Sequence, residues 1–439
     1  MTRQANHKGR FFVSEHFDGD SPLGSFDAAL SGAETSARSQ MATGLVSRLA
    51  KRRALAALPL LQTGRLTIHL PDGSMHQGGT PTSSLHATMW VDDEAMFGEF
   101  ARRGDIGLGE SYMAGHFRTD NLVALLEIGI RNEAVLPQVS WLTRLLNSGN
   151  DLQHRLRPNT RAGSRRNIHA HYDLSNELFA LFLDAEMVYS SAFYDHADDT
   201  LEQAQQQKFR RLAEAAGLRA DAHVLEIGCG WGGFATFAAR TYGCRVTGIT
   251  VSQEQYDVAC ARVRDAGVDD RVDIRLSDYR DIQGTYSHIV SIEMLEAVGR
   301  EHWAGFFEVC HARLAPGGAI AIQTIGMPDH RFEVYARHAD WIQKYIFPGG
   351  MLPSIGALVH AASAATPLTV RWLDDIAPHY ARTLREWRLR FFDRLDQVRA
   401  LGFDERFIRM WEYYLASCEA MFTARQISTL QLVLARAAE

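Results

Sequence analysis

Four glycines lie within six residues in the sequence "VLEIGCGWGGFATFAAR", residues 224–240. Gly228, Gly230, Gly232 and Gly233 let a chain turn sharply from a strand into a helix, because glycine adopts dihedral angles that a Cβ atom disfavours. They also let backbone amides approach a ligand at the start of the helix. A turn that binds nothing needs only one or two glycines. The pattern therefore indicates a ligand-binding loop.

The position of an acidic residue separates two classes of such loops. A dinucleotide fingerprint has an acid about 20 residues after the glycines, where it binds a ribose. Here the next apolar run leads into "GITVSQEQ", which offers hydroxyl and amide side chains at that point. The acid is Glu226, before the glycines, and E-x-G-x-G is typical of S-adenosylmethionine methyltransferases. A tight turn without a ligand stays open as the alternative.

Five short apolar or β-branched runs must position this loop: "HVLEIG", "RVTGIT", "VDIRL", "SHIVSI" and "AIAIQTI". Helical stretches such as "SQEQYDVACARVRDAG" and "REHWAGFFEVCHARL" separate them. This alternation predicts an α/β fold with a doubly wound, mostly parallel sheet and helices on both faces. The ligand site of such a sheet lies at the carboxyl ends of its strands, where the glycine loop begins.

The chain of 439 residues exceeds the usual size of one domain. We predict a flexible N terminus with a basic helix (1–60), a small α/β domain (61–150), a linker with a helical cap over the active site (151–200), and the glycine-loop domain with C-terminal helices (201–439). The basic helix, "MATGLVSRLAKRRALAALPLL", is predicted to pack on the surface, with a membrane-surface helix as the alternative.

Within the small domain, "GRLTIHLPDGS" and "SLHATMWV" predict strands, because apolar and polar residues alternate in them. "DDEAMFGEFARRG" and "DNLVALLEIGIRN" predict helices, the second capped by Asp120. Arginines are frequent in residues 144–166, which we interpret as a linker, with contact to lipid phosphate as the alternative.

Composition excludes several classes of protein. A net charge of -6 argues against a general nucleic-acid binder. The five cysteines lie far apart without a C-x-x-C pair, which predicts neither a disulfide framework nor a metal site and favours a reducing cytoplasm. No apolar run reaches the roughly 18 residues of a membrane span, and the first residues lack the apolar core of a secretory signal. We therefore expect any membrane contact to be peripheral.

Eight motifs occur in an order that resembles the cyclopropane-fatty-acid synthase family: "HYDLSNELF", "MVYSSAFY", "VLEIGCGWGGFA", "GITVSQEQ", "DYRD", "SIEMLEAVG", "QTIG" and "KYIFPGGMLPS". The similarity extends from about Gly104 to the C terminus, and Trp231 matches a tryptophan of the family's loop. The resemblance implies a Rossmann-like class I methyltransferase that uses S-adenosylmethionine on the double bond of unsaturated acyl chains in phospholipids. It also implies a cytoplasmic enzyme, peripheral to the inner face of the membrane, and a homodimer.

The resemblance also implies the residues of the cofactor site. They are Tyr189 and Ser190 near the methionine part, Gly228, Gly230 and Gly232 along it, Thr250, Ser252 and Gln255 at the ribose, Asp278 and Tyr279 at the adenine, and Glu226 and Cys229 beside the loop.

The expected reaction needs a base. An alkene that attacks a sulfonium methyl group becomes a carbocation, and the proton that it then loses determines the product. Loss from the new methyl group closes a cyclopropane, whereas loss from a neighbouring carbon leaves a methylene- or methyl-branched chain. The family's base is thought to be bicarbonate, held by a cysteine, a glutamate, a histidine, a tyrosine and a backbone amide.

This sequence matches only part of that bicarbonate site. Glu296, Tyr380 and the amide of Ile325 match, but Ser191 replaces the cysteine and Gln323 replaces the histidine. Serine and glutamine still hydrogen-bond to anions, so bicarbonate stays a candidate cofactor.

A second carboxylate distinguishes this chain from the best-known synthases. Glu293, three residues before Glu296, stands where those enzymes have a small residue. The two carboxylates could share a face and raise each other's pKa, as a base requires. Alternatively, Glu293 caps the next helix. The pattern resembles the branch of the family that makes methylene- or methyl-branched chains as well as it resembles cyclopropane makers. Glu110 is a further candidate carboxylate.

Aromatic residues supply candidates for an acyl tunnel: Tyr345, Phe347, Trp387 and Phe391. Two other functions stay open from the sequence. One is methylation of a soluble small molecule, and the other is a catalytically inactive lipid-binding or scaffolding homologue.

Overall fold

The computed structural model describes residues 33–135 and 174–437, with side chains from residue 44 onward. Contacts divide the chain into residues 1–45 and residues 46–439. The first helix, α1 (Ala33–Ala57), includes most of the predicted basic helix and begins at Ala33. The arginines of the predicted linker, residues 144–166, lie outside the described residues.

A four-stranded sheet follows α1, with strand order β2-β1-β3-β4. Its strands are β1 (Arg65–His69), β2 (Met75–Gly79), β3 (His86–Val91) and β4 (Phe117–Thr119). Three helices pack with it: α2 (Ala95–Arg103), α3 (Asp105–Met113) and α4 (Leu122–Arg131). The predicted cap of α4 was wrong. Asn121 accepts the hydrogen bond from the Ala124 amide, while Asp120 accepts one from the Thr88 amide instead.

A seven-stranded sheet forms the centre of the rest of the chain, with strand order β10-β11-β9-β8-β5-β6-β7. Its strands are β5 (His223–Ile227), β6 (Arg245–Thr250), β7 (Val272–Leu276), β8 (Tyr286–Ile292), β9 (Leu314–Gly326), β10 (Thr369–Asp375) and β11 (Ser428–Ala435). Strands β5 to β9 pair in parallel and confirm the predicted order of strands. The antiparallel pair β10 and β11 extends one edge and was not predicted.

Helices connect these strands and cover the sheet. They are α5 (Asn176–Phe182), α6 (Leu201–Ala216), α7 (Gly233–Tyr242), α8 (Gln253–Asp265), α9 (Trp303–Arg313), α10 (Asp329–Tyr335), α11 (Trp341–Tyr345), α12 (Ile355–Ala365), α13 (Ala377–Asp393), α14 (Leu395–Ala400) and α15 (Glu405–Thr423). Alternate residues of each strand enter different cores. Val224 packs against α6 and α7, whereas Leu225 packs on the α9 side, as expected for a parallel sheet that is buried on both faces.

The strand order reverses at β5. The chain passes from β5 to β6 and β7 on one side, then returns to β8 on the other side of β5. Loops diverge at such a switch point and leave a crevice at the carboxyl ends of the strands. The crevice therefore opens beside the glycine loop that follows β5.

Candidate active site

A cleft lies at this switch point, between the carboxyl ends of β5, β6 and β8. Most of the residues predicted for the cofactor line it: Tyr189, Ser190, Glu226, Gly228, Cys229, Gly230, Thr250, Gln255, Asp278 and Tyr279. Trp231 and Glu293 line the same cleft. The structure thus brings together residues that lie more than a hundred positions apart in the chain.

The glycine loop has the backbone conformation that the sequence predicts. Gly228 has a φ of 81° and Gly230 a φ of 53°, both in the left-handed region that favours glycine. A Cβ atom at Gly228 would lie 2.8 Å from Cγ of Met294, whereas one at Gly230 would meet nothing within 4 Å. The first glycine therefore permits close packing of the loop, and the second leaves its backbone open toward the cleft.

Trp231 connects the glycine loop to helix α5 through two contacts. Its indole NH donates to Oδ1 of Asn176 at 2.8 Å, and its ring centroid lies 5.3 Å from that of Phe179. Both partners belong to α5, the helix of the "NELF" motif. The tryptophan inside the loop thus connects the cofactor cleft to α5.

Two predicted cofactor residues do not line the cleft. Gly232 faces Ala259, which would lie 3.1 Å from an added Cβ atom. Ser252 caps α8 by accepting from the amide of Gln255. The hydroxyl of Thr250 donates to Oε1 of Gln255 at 2.8 Å, so the T-x-S-x-x-Q stretch is bonded internally.

Asp278 lines the cleft, and its carboxylate is bonded within the chain. Its carboxylate accepts from Nε and Nη2 of Arg280 at 2.8 and 2.6 Å. Tyr279 stands beside it, with its ring packed edge-on against Phe306. The ion pair fixes the end of the cleft where the sequence predicts the adenine.

Glu226 gives the cleft a buried acid that fits a cationic ligand. Its side chain is nearly inaccessible, and Oε2 has no hydrogen-bond partner among the described residues. Burial raises the pKa of this carboxyl to about 8, against the opposing charge of Lys208. A buried carboxyl of this kind matches the positive charge of S-adenosylmethionine, and the open backbone at Gly230 leaves room beside it.

Four of the predicted catalytic residues form a hydrogen-bonded cluster, in which Ser191, Gln323 and Tyr380 surround Glu293. Its Oε1 accepts from the amide of Ser191 at 2.9 Å and from Nε2 of Gln323 at 2.8 Å. Its Oε2 accepts from the hydroxyl of Tyr380 at 2.7 Å. These contacts exclude the alternative that Glu293 merely caps the next turn, which begins after Met294. Three donors stabilise an ionised carboxylate in a buried place.

Glu296 occupies a different environment three residues later. Its Oε1 accepts from the amide of Ile325 at 2.6 Å and from the hydroxyl of Thr324 at 3.0 Å. Its Oε2 is buried without a partner among the described residues. Burial and the neighbouring charge of Glu293 raise the pKa of Glu296 to about 8. The pKa of Glu293 is also raised by burial, but Gln323, Lys208, Ser191 and Tyr380 oppose the rise.

Two details differ from simple expectations of the sequence. The hydroxyl of Ser191 donates to the carbonyl of Ala192, so its backbone amide, rather than its side chain, binds the carboxylate. Glu110 is bonded to Lys344, Tyr345 and Arg103, away from this cluster.

The tunnel candidates form part of a packed aromatic core and do not line the cleft. Trp387 and Phe391 are fully buried, and the ring of Trp387 lies 5.3 Å from that of Tyr189. The hydroxyls of Tyr189 and Tyr414 lie 2.8 Å apart in this core, and Phe347 packs against both rings. The aromatic core thus reaches the cleft through Tyr189.

The sequence reasoning missed Lys208 and Gln205. Both lie on the buried face of α6, and both contact Ser190. A signal was present in "LEQAQQQKFRRL", because Lys208 falls at helical spacing from Leu201, Ala204 and Leu212. A lysine among the apolar residues of one helix face indicates that the lysine has a buried partner or that this face was wrongly assigned to the core.

No group of His, Cys, Asp or Glu in residues 33–135 and 174–437 is arranged to hold a metal ion. In the same part of the chain, no helix combines the length and the apolar character needed to cross a bilayer.

Known proteins resemble this chain over most of its length. Tuberculostearic acid methyltransferase UfaA1 of Mycobacterium tuberculosis is 40% identical over 88% of this chain and 92% of its own. Cyclopropane-fatty-acyl-phospholipid synthase of Escherichia coli is 35% identical over 81% and 90%. The crystal structure of mycolic acid cyclopropane synthase CmaA1, complexed with SAH and CTAB, has 32% identity and a TM-score of 0.59 over 62% of this chain and 98% of that chain.

The similarity to CmaA1 confirms the predicted class I methyltransferase fold. The family described as mycolic acid cyclopropane synthetase matches residues 159–432, which include the glycine loop, the Glu293 cluster, strand β10 and the first five residues of β11. The chain therefore belongs to the mycolic acid cyclopropane synthetase family.

Proposed function

We propose that this protein methylates the double bond of unsaturated fatty acyl chains in phospholipids, with Glu293 as the base that removes the proton. One observation carries the assignment of the base. The Glu293 carboxylate faces the cofactor cleft and accepts three hydrogen bonds, from Ser191, Gln323 and Tyr380. The protein is an S-adenosylmethionine-dependent methyltransferase of the cyclopropane-fatty-acyl-phospholipid synthase type, like its relatives.

When bound, S-adenosylmethionine supplies an electrophilic methyl group. The residues of the chain bind and orient it: the glycine loop opens its backbone toward the cleft, and Glu226 supplies a buried carboxyl that becomes negative when its proton leaves on binding. Trp231 lines the cleft and is held by Asn176 of α5. The face of Tyr189, backed by Trp387, is suited to stabilise positive charge on the acyl chain.

In this proposal the two glutamates have opposite protonation states. With S-adenosylmethionine bound, the alkene would form a bond to the methyl carbon while the bond from that carbon to sulfur breaks, which would release S-adenosylhomocysteine and leave a cation on the adjacent carbon of the acyl chain. Glu293, ionised by its three donors, takes the proton whose loss discharges that cation. Glu296, with a pKa raised to about 8, remains protonated at neutral pH. Environments that separate the pKa values of two carboxyls are typical of acid–base sites.

The geometry favours a base within the chain over bicarbonate. Gln323 and Tyr380, two side chains predicted to hold bicarbonate, donate to Glu293. The amide of Ile325, a third predicted ligand, donates to Glu296. A branched chain is the product we propose, since Glu293 departs from the best-known cyclopropane makers and the relative with 40% identity is named as a tuberculostearic acid methyltransferase.

We further propose that the phospholipid is met at a membrane surface, through α1. Leu49 and Leu60 are 51% and 58% exposed, and Arg48 and Arg52 are exposed beside them. Exposed leucines among arginines suit the interface of an anionic membrane, where apolar side chains enter the headgroup region and cations meet lipid phosphate.

The direct test incubates the protein with S-adenosylmethionine and dioleoyl phospholipid vesicles and analyses the released fatty acids by mass spectrometry. We expect a mass gain of one methylene group, and no gain on any unsaturated chain would contradict the proposed function. Mild catalytic hydrogenation then separates the products, because a branched alkene takes up hydrogen and a cyclopropane resists it.

The assignment of the base has its own test. Glu293→Gln should lose turnover while its affinity for the cofactor stays close to that of the wild type. Glu110→Gln, outside the cluster, is the matched control and should keep its turnover. The wild type should not depend on added bicarbonate, whereas Glu293→Gly should regain part of its turnover with it. Full activity of Glu293→Gln would exclude this base.

A further inference from the structure

Lys208 is a fully buried lysine on α6, directly behind the cleft. Its Nζ donates to Oγ of Ser190 at 2.7 Å, and its ammonium lies 4.6 Å from the ring centroid of Phe209. Ser190 and Phe209 both line the cleft, while Lys208 itself stands behind them. A buried ammonium is costly unless nearby charges and hydrogen bonds compensate it.

Carboxylates from three parts of the fold provide that compensation. Glu293 follows β8, Glu226 lies on β5, and Asp184 and Glu186 belong to the loop after α5. Glu293 contributes most among them, and Lys208 in turn opposes the effect of burial on Glu293 and on Glu226. Lys208 thus acts on both carboxylates that line the cleft from the two central strands.

We propose that Lys208 is a positioning residue of the reaction, which holds the Ser190 segment in place and keeps the Glu293 carboxylate in its basic form. This inference rests on the proposed role of Glu293. The hydrogen bond to Ser190 fixes the residues that contact both the cofactor cleft and, through the Ser191 amide, the base. The buried positive charge favours the anion of Glu293 in a place without solvent.

The neighbouring Gln205 allows the two roles to be separated. It reaches the same segment from the same helix, with Nε2 donating to the carbonyl of Ser190 at 3.0 Å. It is also fully buried, but it carries no charge. Loss of Gln205 disturbs the position of the Ser190 segment. Loss of Lys208 disturbs the same segment and also removes the buried positive charge.

The experiment compares Lys208→Met, Gln205→Met and Ser190→Ala by the pH dependence of kcat/KM on dioleoyl phospholipid vesicles. The titratable groups that interact with Glu293 include Lys208, Glu296, Tyr380 and Tyr414, and the last three remain in all three variants. A base is active when ionised, so the rate rises with pH through its pKa. Lys208→Met should move this rise upward by about one pH unit or more, since an opposite charge nearby lowers the pKa of a carboxyl by that amount.

Gln205→Met and Ser190→Ala should lower the rate without moving the rise, because both keep the charge of Lys208. Affinity for S-adenosylhomocysteine, measured by calorimetry, reports whether each variant still forms the cleft. If Lys208→Met does not fold, Lys208→Gln keeps a polar side chain without the charge and serves for the same comparison.

The outcomes distinguish this inference from the assignment of the base. If kcat/KM rose in the same pH range for Lys208→Met and the wild type while Glu293→Gln was inactive, the role of Lys208 would be overturned and the assignment of the base would stand. Full activity of Glu293→Gln would instead overturn the base itself. If the pH at which the rate rises moved as far in folded Gln205→Met as in Lys208→Met, the effect would come from the position of the Ser190 segment. This result would also exclude the proposed role of the Lys208 charge.

Discussion

Glu226 makes cofactor binding dependent on pH, and the size of the effect follows from its environment. Burial raises the pKa of this carboxyl to about 8 in the free protein. At pH 7 about nine in ten of the carboxyls therefore carry a proton, which must leave before the group can pair with a cationic ligand. Removing it costs about 1.4 kcal/mol at pH 7, and each lower pH unit adds the same amount. Affinity should thus rise about tenfold from pH 6 to pH 7.

The assay is calorimetry of S-adenosylmethionine binding at pH 6, 6.5 and 7, in pairs of buffers that differ in ionisation enthalpy. The wild type should release close to one proton on binding, and the heat should change with the buffer accordingly. Glu226→Gln, which keeps the shape of the side chain, should bind more weakly at pH 7 and show neither the slope nor the proton release. Equal slopes for the two proteins would refute the reasoning, because the proton would then come from another group.

Three further predictions concern the loop and the surface. Gly228→Ala should lose about 1 to 2 kcal/mol of unfolding free energy, since a φ of 81° strains any other residue, and denaturant titration measures it. Trp231→Phe should lose about 1 kcal/mol with the indole hydrogen bond, and a double-mutant cycle with Asn176→Ala should recover that coupling. Replacing Arg48 and Arg52 with glutamate should weaken binding to anionic vesicles, and binding of the wild type should fall with salt. Binding insensitive to salt would contradict membrane contact through these charges.

The central strands could be predicted from the sequence because each is a short apolar run that is buried on both faces. Strand β10 could not, because it lies at the sheet edge with most of its residues exposed, and its "TVRWLDD" lacks such a run. Strand β11 is apolar but follows the long helix α15 directly, so its antiparallel return to β9 depends on tertiary packing. Local chemistry was also ambiguous where two suitable residues adjoin, as for Asp120 and Asn121 at the start of α4.

The members of the candidate site were easier to predict than their contacts. Position after β8 and the family resemblance indicated Glu293 and Glu296, but their donors come from residues 28 to 102 positions away. Sequence reasoning assigned the interaction of Ser191 to its hydroxyl, whereas the fold uses its amide. Backbone donors carry no signature in the side-chain sequence. Lys208 was missed because its partner Ser190 lies on a separate loop.

The backbone of Glu293, the proposed base, is strained, and the fold tolerates this strain. Its φ is 48°, a left-handed conformation that costs a residue other than glycine about 1 to 2 kcal/mol. The conformation persists because its amide donates to the carbonyl of Gln323 at 2.7 Å while its carboxylate accepts from the side chain of the same residue. Strain of this kind concentrates at functional sites, where the surroundings over-determine it. A side chain that served only to cap a turn would not need this conformation. In this conformation Glu293 lines the cleft, as its proposed role as the base requires.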